Sequence, residues 1–311
     1  MSRRRSRPAH LVVAAVLLLV AITPVFGLSQ AELRVSGVEP GILPVRWTPE
    51  SPDCAHTPAF LVHEYNSTFF ILRQSGCTHF EKPFLYLVLG SKEALLVDTG
   101  AAGAQVSAVV AELLRRHSQR QQRPVLPLLV VHSHGHSDHT AGDVELSRTP
   151  GARVIAATPD ALAVFFGIKN WPREIARHDL GDRVVDIVPI PGHEVASIAL
   201  YDRRTGTLLT GDTLYPGRLY VRDAGAFVES VGRLVEFTAT RDVAHVLGAH
   251  IENTSTPYLD YPQGTTFQPD EHSLELGRAH LLELQETLRH MSGDLQRRSL
   301  RDFTLWPVVP K

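Results

Sequence analysis

The sequence predicts a layered α/β protein, and three observations carry that prediction. Short β-rich runs fall in two series, roughly residues 69–131 and 184–247, and do not alternate strictly with helices. Apolar residues recurring three and four apart mark helices between and after the two series. A wholly apolar run at 126–131 ends abruptly in histidines, as a buried strand ends in a polar loop. Two packed sheets flanked by helices, an αββα sandwich, would accommodate this order, of which the pattern alone supports only α and β in layers.

Taken from the amino terminus, the chain opens with Arg3, Arg4, Arg5 and Arg7, runs through the apolar stretch 11–20 and reaches Pro24. A basic region, a short apolar core and small residues downstream have the order of a secretory signal, so residues 1–31 are expected to direct export, with cleavage after Gly27 or Ala31. The apolar run is short for a bilayer, so no stable membrane span is expected in the mature chain, the alternative being an uncleaved anchor. The expected location is secreted or periplasmic. Pro40, Pro44, Pro49, Pro52 and Pro58 break up residues 32–58, which read as an amino-terminal arm, with one domain over 59–311. Cys54 and Cys77 are the only cysteines, and in an oxidising compartment a disulfide between them is expected.

Runs at 69–73, 84–89 and 94–97 read as an antiparallel meander ending in Asp98-Thr99-Gly100. Residues 104–117 read as a helix with Val106, Val109, Val110, Leu113 and Leu114 on one face. After the strand at 126–131 come a short strand at 154–157, a helix at 159–166 and an irregular insertion at 167–178 holding Trp171 and Pro172. The second series places strands at 184–188, 198–201, 207–209 and 246–247, with a helix at 226–239. Leu274, Leu281, Leu284, Leu288 and Met291 predict a last helix over about 270–292, which Gly293 would stop.

At 311 residues, 43% hydrophobic and 21% charged, the chain has ample length for a sizeable core. Its net charge of −2 gives no electrostatic reason to expect nucleic acid or an acidic membrane as partner. A small-molecule substrate is the partner expected. The sixteen histidines are the compositional oddity, and they matter where they cluster.

His134, His136, Asp138 and His139 form a His-x-His-x-Asp-His pattern just beyond the strand at 126–131. Three imidazoles and a carboxylate so close together are costly to bury and poorly matched to an ordinary turn. Divalent metal resolves the difficulty, because neutral imidazole and carboxylate are zinc ligands and an extended loop turns alternate side chains to one side. His134 and His136 can share one ion while Asp138 and His139 reach a second. A lone His-x-His reads more simply as a histidine-rich surface loop; the added Asp-His at a strand end reverses that balance.

At these residues the chain resembles the metallo-β-lactamase superfamily, the binuclear metallohydrolases that include glyoxalase II and lactonases. Three later positions, each after an apolar run, match the family's remaining motifs: His193 in Pro191-Gly192-His193, Asp212 in Gly211-Asp212-Thr213, and His250 in Gly248-Ala249-His250. The resemblance implies that His134, His136 and His193 hold one metal and Asp138, His139 and His250 another. Asp212 then bridges the two, and Asp98 orients the ligand loop without binding metal. Two Zn2+ are the default ions, although such ligands also accept iron or manganese.

The implied function is an exported binuclear zinc hydrolase that uses metal-bound hydroxide on a carbonyl ester, thioester, lactone or amide. Glyoxalase II-like thioesterase and homoserine-lactone lactonase are its specific forms. Asp138 and Asp212 are expected to pass the proton to the leaving group. Tyr215, three residues after the bridging acid, is expected as an oxyanion-side donor. The alternatives are a β-lactamase, a phosphodiesterase, a mononuclear iron dioxygenase and a non-enzymatic metal binder. Aspartate at the bridging position points away from the first, and the weak charge away from the second.

Overall fold

The computed structural model describes residues 37–47, 53–291 and 294–308; the expected signal lies outside the described residues. In the first half, β1 (Phe60–Asn66), β2 (Phe69–Gln74), β3 (Phe84–Leu89) and β4 (Ala94–Val97) run antiparallel. Helix α1 (Val106–Gln121) then carries the chain back, so that β5 (Leu128–Val131) joins β4 in parallel. Two single-turn helices, α2 (Ser137–Thr140) and α3 (Asp143–Leu146), lead to β6 (Ala152–Val154), which completes a sheet ordered β1-β2-β3-β4-β5-β6.

Helix α4 (Pro159–Phe166) opens the second half. It is followed by β7 (Ala176–Asp179), β8 (Val184–Pro189), β9 (Ile198–Asp202) and β10 (Thr207–Gly211). Next come β11 (Arg218–Val221), α5 (Ala224–Thr238), β12 (His245–Gly248) and β13 (Glu275–Leu276). The chain closes with α6 (Arg278–His290), β14 (Arg298–Ser299) and β15 (Thr304–Pro307). The second sheet is ordered β13-β12-β10-β9-β8-β7, and β11, β15 and β14 form a small third sheet.

Strand alternation sorts the apolar side chains into three layers. Between the large sheets, Ile71, Tyr86, Leu129 and Val131 meet Val185, Ile187, Ile198 and Leu200. On the outer face of the first sheet, Leu85, Leu87, Leu96 and Val130 pack under Val106, Val110, Leu113 and Leu114 of α1. Outside the second sheet, Ala199, Leu208 and Val246 pack under Phe227, Val231 and Leu234 of α5 and Leu281, Leu284 and Leu288 of α6. Covering both faces explains why β2 to β5 are buried at every position and why β3, β4 and β5 read as continuous apolar runs. The architecture is the αββα sandwich expected.

Several boundaries differ from those expected. β1 was not anticipated, because only Phe60 and Tyr65 of its seven residues are buried and His63, Glu64 and Asn66 break up its apolar positions. The strand placed at 154–157 is β6, two residues earlier, and the insertion at 167–178 ends inside β7. The last helix starts at Arg278, not near 270. Leu274, just before β13, and Leu276 within it are buried at alternate positions, and β13 pairs with β12, so the spacing of seven from Leu274 to Leu281 crosses from an extended segment into a helix. Within the arm, Trp47 is buried edge-on against Phe84. Cys54 and Cys77 form the expected disulfide.

One buried cation clamps the two sheets together. Arg183, fully buried before β8, donates to both carboxylate oxygens of Asp202 and to the carbonyls of Thr68, in the β1–β2 turn, and Leu89, at the end of β3. Removing the guanidinium leaves the Asp202 charge in the core. Arg183→Met is therefore expected to lower unfolding free energy by about 3–5 kcal/mol in urea titrations, and a loss below about 1 kcal/mol would contradict the clamp.

Candidate metal centre

The histidine loop begins where β5 ends, and Asp98 at the end of β4 holds its shape. The Asp98 carboxylate accepts the Ser133 N–H at 2.7 Å, the Ser133 hydroxyl at 2.8 Å and His139 Nδ1 at 2.9 Å. Its own backbone sits at φ +67°, a conformation rare outside glycine and retained where surrounding contacts over-determine it. The expected orienting residue thus grips the loop at three points. His136 caps α2, and Asp138 and His139 lie in its single turn.

The second sheet delivers the remaining groups from three strand ends. His193 follows β8 through Gly192, which has φ +140° and stands so close to α5 that a Cβ would lie 2.5 Å from Phe227 Cα. Asp212 follows Gly211, where a Cβ would lie 2.7 Å from Ser133 Cβ. Glycine at that point lets the end of β10 touch the histidine loop. β12 is the parallel neighbour of β10, so His250 emerges beside Asp212.

Two sets of ligand atoms converge. His136 Nδ1 lies 2.9 Å from His134 Nε2 and 3.0 Å from His193 Nε2. In the other set, Asp138 Oδ2 lies 3.2 Å from His139 Nε2 and 3.3 Å from His250 Nε2. Asp212 stands between them: Oδ2 is 3.5 Å from His193 Nε2 and 3.8 Å from His134 Nε2, while Oδ1 is 3.4 Å from His250 Nε2 and 3.6 Å from His139 Nε2. Asp212 Oδ1 is buried without a hydrogen-bond partner. An orphaned carboxylate oxygen facing two imidazoles fits a divalent ion on either side of Asp212.

The opposite ring nitrogens fix each ligand's orientation. His193 Nδ1 donates to the Tyr220 carbonyl at 2.8 Å, His250 Nδ1 to the Glu81 carbonyl at 3.0 Å, and His139 Nδ1 to Asp98. In each case Nε2 is left to face the centre.

The electrostatics of the two sets differ. Burial and the neighbouring imidazoles hold His134 well below its usual range, and burial pushes His193 down to about 3, so this set is neutral and ready for metal. Burial alone would lower His139 and His250, but Asp98, Asp212 and Asp138 hold His139 well above its usual range, and Asp212 and Asp138 raise His250 to about 9. Burial would raise Asp138, yet those imidazoles keep it far below the carboxylate range. Burial lifts Asp212 to about 6.

Residues 82–257, more than half of the chain, match the profile describing the metallo-beta-lactamase superfamily. The chain belongs to that superfamily. Among relatives, hydroxyacylglutathione hydrolase of Anaeromyxobacter dehalogenans is 33% identical over 133 residues, 42% of this chain and 46% of the relative. Acyl-coenzyme A thioesterase of Bos taurus is 27% identical over 201 residues, 53% of this chain and 72% of the relative. The chain thus spans about half the length of the first of these superfamily members. A solved metallo-beta-lactamase of Pseudomonas aeruginosa, in its mono-zinc form, superposes with a TM-score of 0.50 at 16% identity, over 79% of this chain and 98% of that one, which shows a shared fold.

The centre opens into a cleft of about 840 Å³. Tyr215 borders it, but the residue is 1% exposed and its hydroxyl donates to the Arg218 carbonyl, with Glu252 Oε2 at 3.2 Å. The proton expected for an oxyanion is engaged there, and the ring instead braces His250 at 5.6 Å. Glu81, Arg222, Glu252 and Trp306 also line the cleft and were not singled out from the sequence. Glu252, two residues after His250, was the most accessible of these by its spacing.

Metal must displace protons from the second set. His250, raised to about 9, is protonated at pH 7 in the metal-free protein, and Asp212 joins it below about pH 6. Zinc loading at pH 7 is expected to release protons, and affinity to fall as pH drops through 6. Calorimetric titration in buffers of differing ionisation enthalpy reads this directly. Proton-free loading with pH-independent affinity would contradict it.

Proposed function

We propose that the protein is an exported, binuclear, zinc-dependent hydrolase of thioesters. The carrying observation is the Asp212 carboxylate set between two groups of ligand atoms at the floor of an open cleft. Two of its relatives are named as hydrolases of acylated thiols, which supports thioesters over the lactones and amides that the same chemistry could open. The basic and apolar order of residues 1–31, together with the Cys54–Cys77 disulfide, supports export.

A divalent ion held by His134, His136 and His193, or by Asp138, His139 and His250, with Asp212 between, would supply Lewis acidity for water activation and carbonyl polarisation. Water oxygen adds to the carbonyl carbon, the C–S bond breaks, and a carboxylic acid and a thiol leave. The chain's own contribution is placement. Asp98 and Ser133 lock the loop, while the carbonyls of Tyr220 and Glu81 fix the rings of His193 and His250. Asp138, 18% exposed, and Asp212 beside it border the cleft, and Asp212, the one of the two that burial raises, is the carboxylate suited to pass a proton from water to the departing thiolate.

Arg222 gives the cleft a preference for anions. Its guanidinium is exposed, forms no ion pair among the described residues, and lies near enough to His136 and His193 to depress both. Thiol carriers such as glutathione and coenzyme A are anionic. Arg222→Gln is expected to raise KM for such thioesters about tenfold while changing kcat far less, in line with loss of a charge-assisted contact. Equal KM values would remove Arg222 from binding.

The hydrolase reading is tested by loading the protein with zinc and assaying acyl-glutathione, acyl-coenzyme A, a lactone and a β-lactam. Chelator-sensitive turnover of the thioesters is expected. A loaded protein that cleaves none of them would overturn the proposal.

A further inference from the structure

The carboxyl-terminal strand lies beyond the superfamily match at 82–257, yet it builds a wall of the cleft. β15 pairs in parallel with β11, setting Trp306 opposite Tyr220 and Pro307 opposite Val221. Its two ends are fastened by the Thr304 N–H to the Gly217 carbonyl and the Val308 N–H to the Val221 carbonyl, each at 2.8 Å. Leu305 is buried in the core beneath α5 and α6, so alternation turns Trp306 the other way, where it is part-exposed. The indole is held between neighbours, with the Arg297 guanidinium 3.7 Å from its centroid and the Tyr220 ring 5.9 Å away.

The lining of the cleft is sharply divided. Apart from the rings of Tyr215 and Tyr220, its apolar side chains are Trp306, Pro307 and Val308, all from this one strand end. The remaining lining is ligand side chains, carboxylates, amide, hydroxyl and the Arg222 guanidinium. A thioester has two halves to place against such a surface. A thiol carrier is polar and anionic and matches the Arg222 side; an apolar wall matches only the acyl half.

We propose that Trp306, Pro307 and Val308 form an acyl-binding wall, and that the preferred substrates carry an apolar acyl group of several carbons. This rests on the thioesterase reading above. Trp306 acts here as a specificity residue, through burial of acyl methylenes against the indole.

The test uses straight-chain acyl thioesters of one thiol, from acetyl to octanoyl, with the full-length zinc-loaded protein. Each buried methylene is expected to raise kcat/KM about threefold to fourfold until the wall is covered. In Trp306→Ala that dependence flattens, chiefly through a higher KM for the long acyl groups, with zinc content preserved; in Trp306→Phe most of it returns. A wild-type series with no dependence on acyl length, or a Trp306→Ala protein retaining the full slope, overturns the inference. Binding of butanoate, hexanoate and octanoate, measured by calorimetry on the same loaded proteins, separates the two levels. Affinity that climbs with chain length in wild type and not in Trp306→Ala supports the wall even where no thioester is hydrolysed, whereas flat affinity refutes it even where one is.

Discussion

Everything else in this structure serves one constraint: three carboxylates and five imidazoles around Asp98 and Asp212 are buried or nearly so, and they must be neutralised together. Without metal, Asp212 carries an oxygen with no donor, and His139 and His250 retain protons only because carboxylates surround them. That arrangement is costly as a protein core and economical as a pair of cation sites. The fold supplies its rigidity from both sides. β4 and β5 run in parallel so that Asp98 can grip the histidine loop, and β8, β10 and β12 end at the same edge of the second sheet.

The two sheets therefore have a functional end and a structural end. At one, Gly211 lets the two sheets' loops touch, bringing Asp212 to Ser133 and the histidines. At the other, Arg183 ties Asp202 of the second sheet to Thr68 and Leu89 of the first. A centre assembled from two sheets keeps its ligand spacing only if those sheets do not slide, so the clamp at one end bears on metal geometry at the other. The small sheet of β11, β15 and β14 stands outside this frame and borders the cleft.

Much of the candidate centre was legible because each candidate ligand follows an apolar run and sits within two residues of glycine or beside another such residue, leaving a local mark in the chain. His134 to His139 carry that mark most densely, and His193, Asp212 and His250 repeat it singly. Arg222 and Trp306 carry none. A lone arginine before a helix cap and a tryptophan near the terminus look like ordinary surface and packing residues until β15 is seen beside β11. Tyr215 shows the converse: its spacing from Asp212 suggested chemistry, but its hydroxyl donates its hydrogen bond to the Arg218 carbonyl. The misplaced start of the last helix has a similar cause, since Leu274 is buried just before the short strand β13 and not on a helix face.

The proposed joining of two cation sites by Asp212 can be read by X-ray absorption spectroscopy of the zinc-loaded protein, with metal content determined on the same sample. Two zinc ions per chain separated by roughly 3.5–4 Å are expected, and loss of that metal–metal signal in Asp212→Ala. One zinc ion per chain after complete loading, with no metal neighbour in the spectrum, would contradict it.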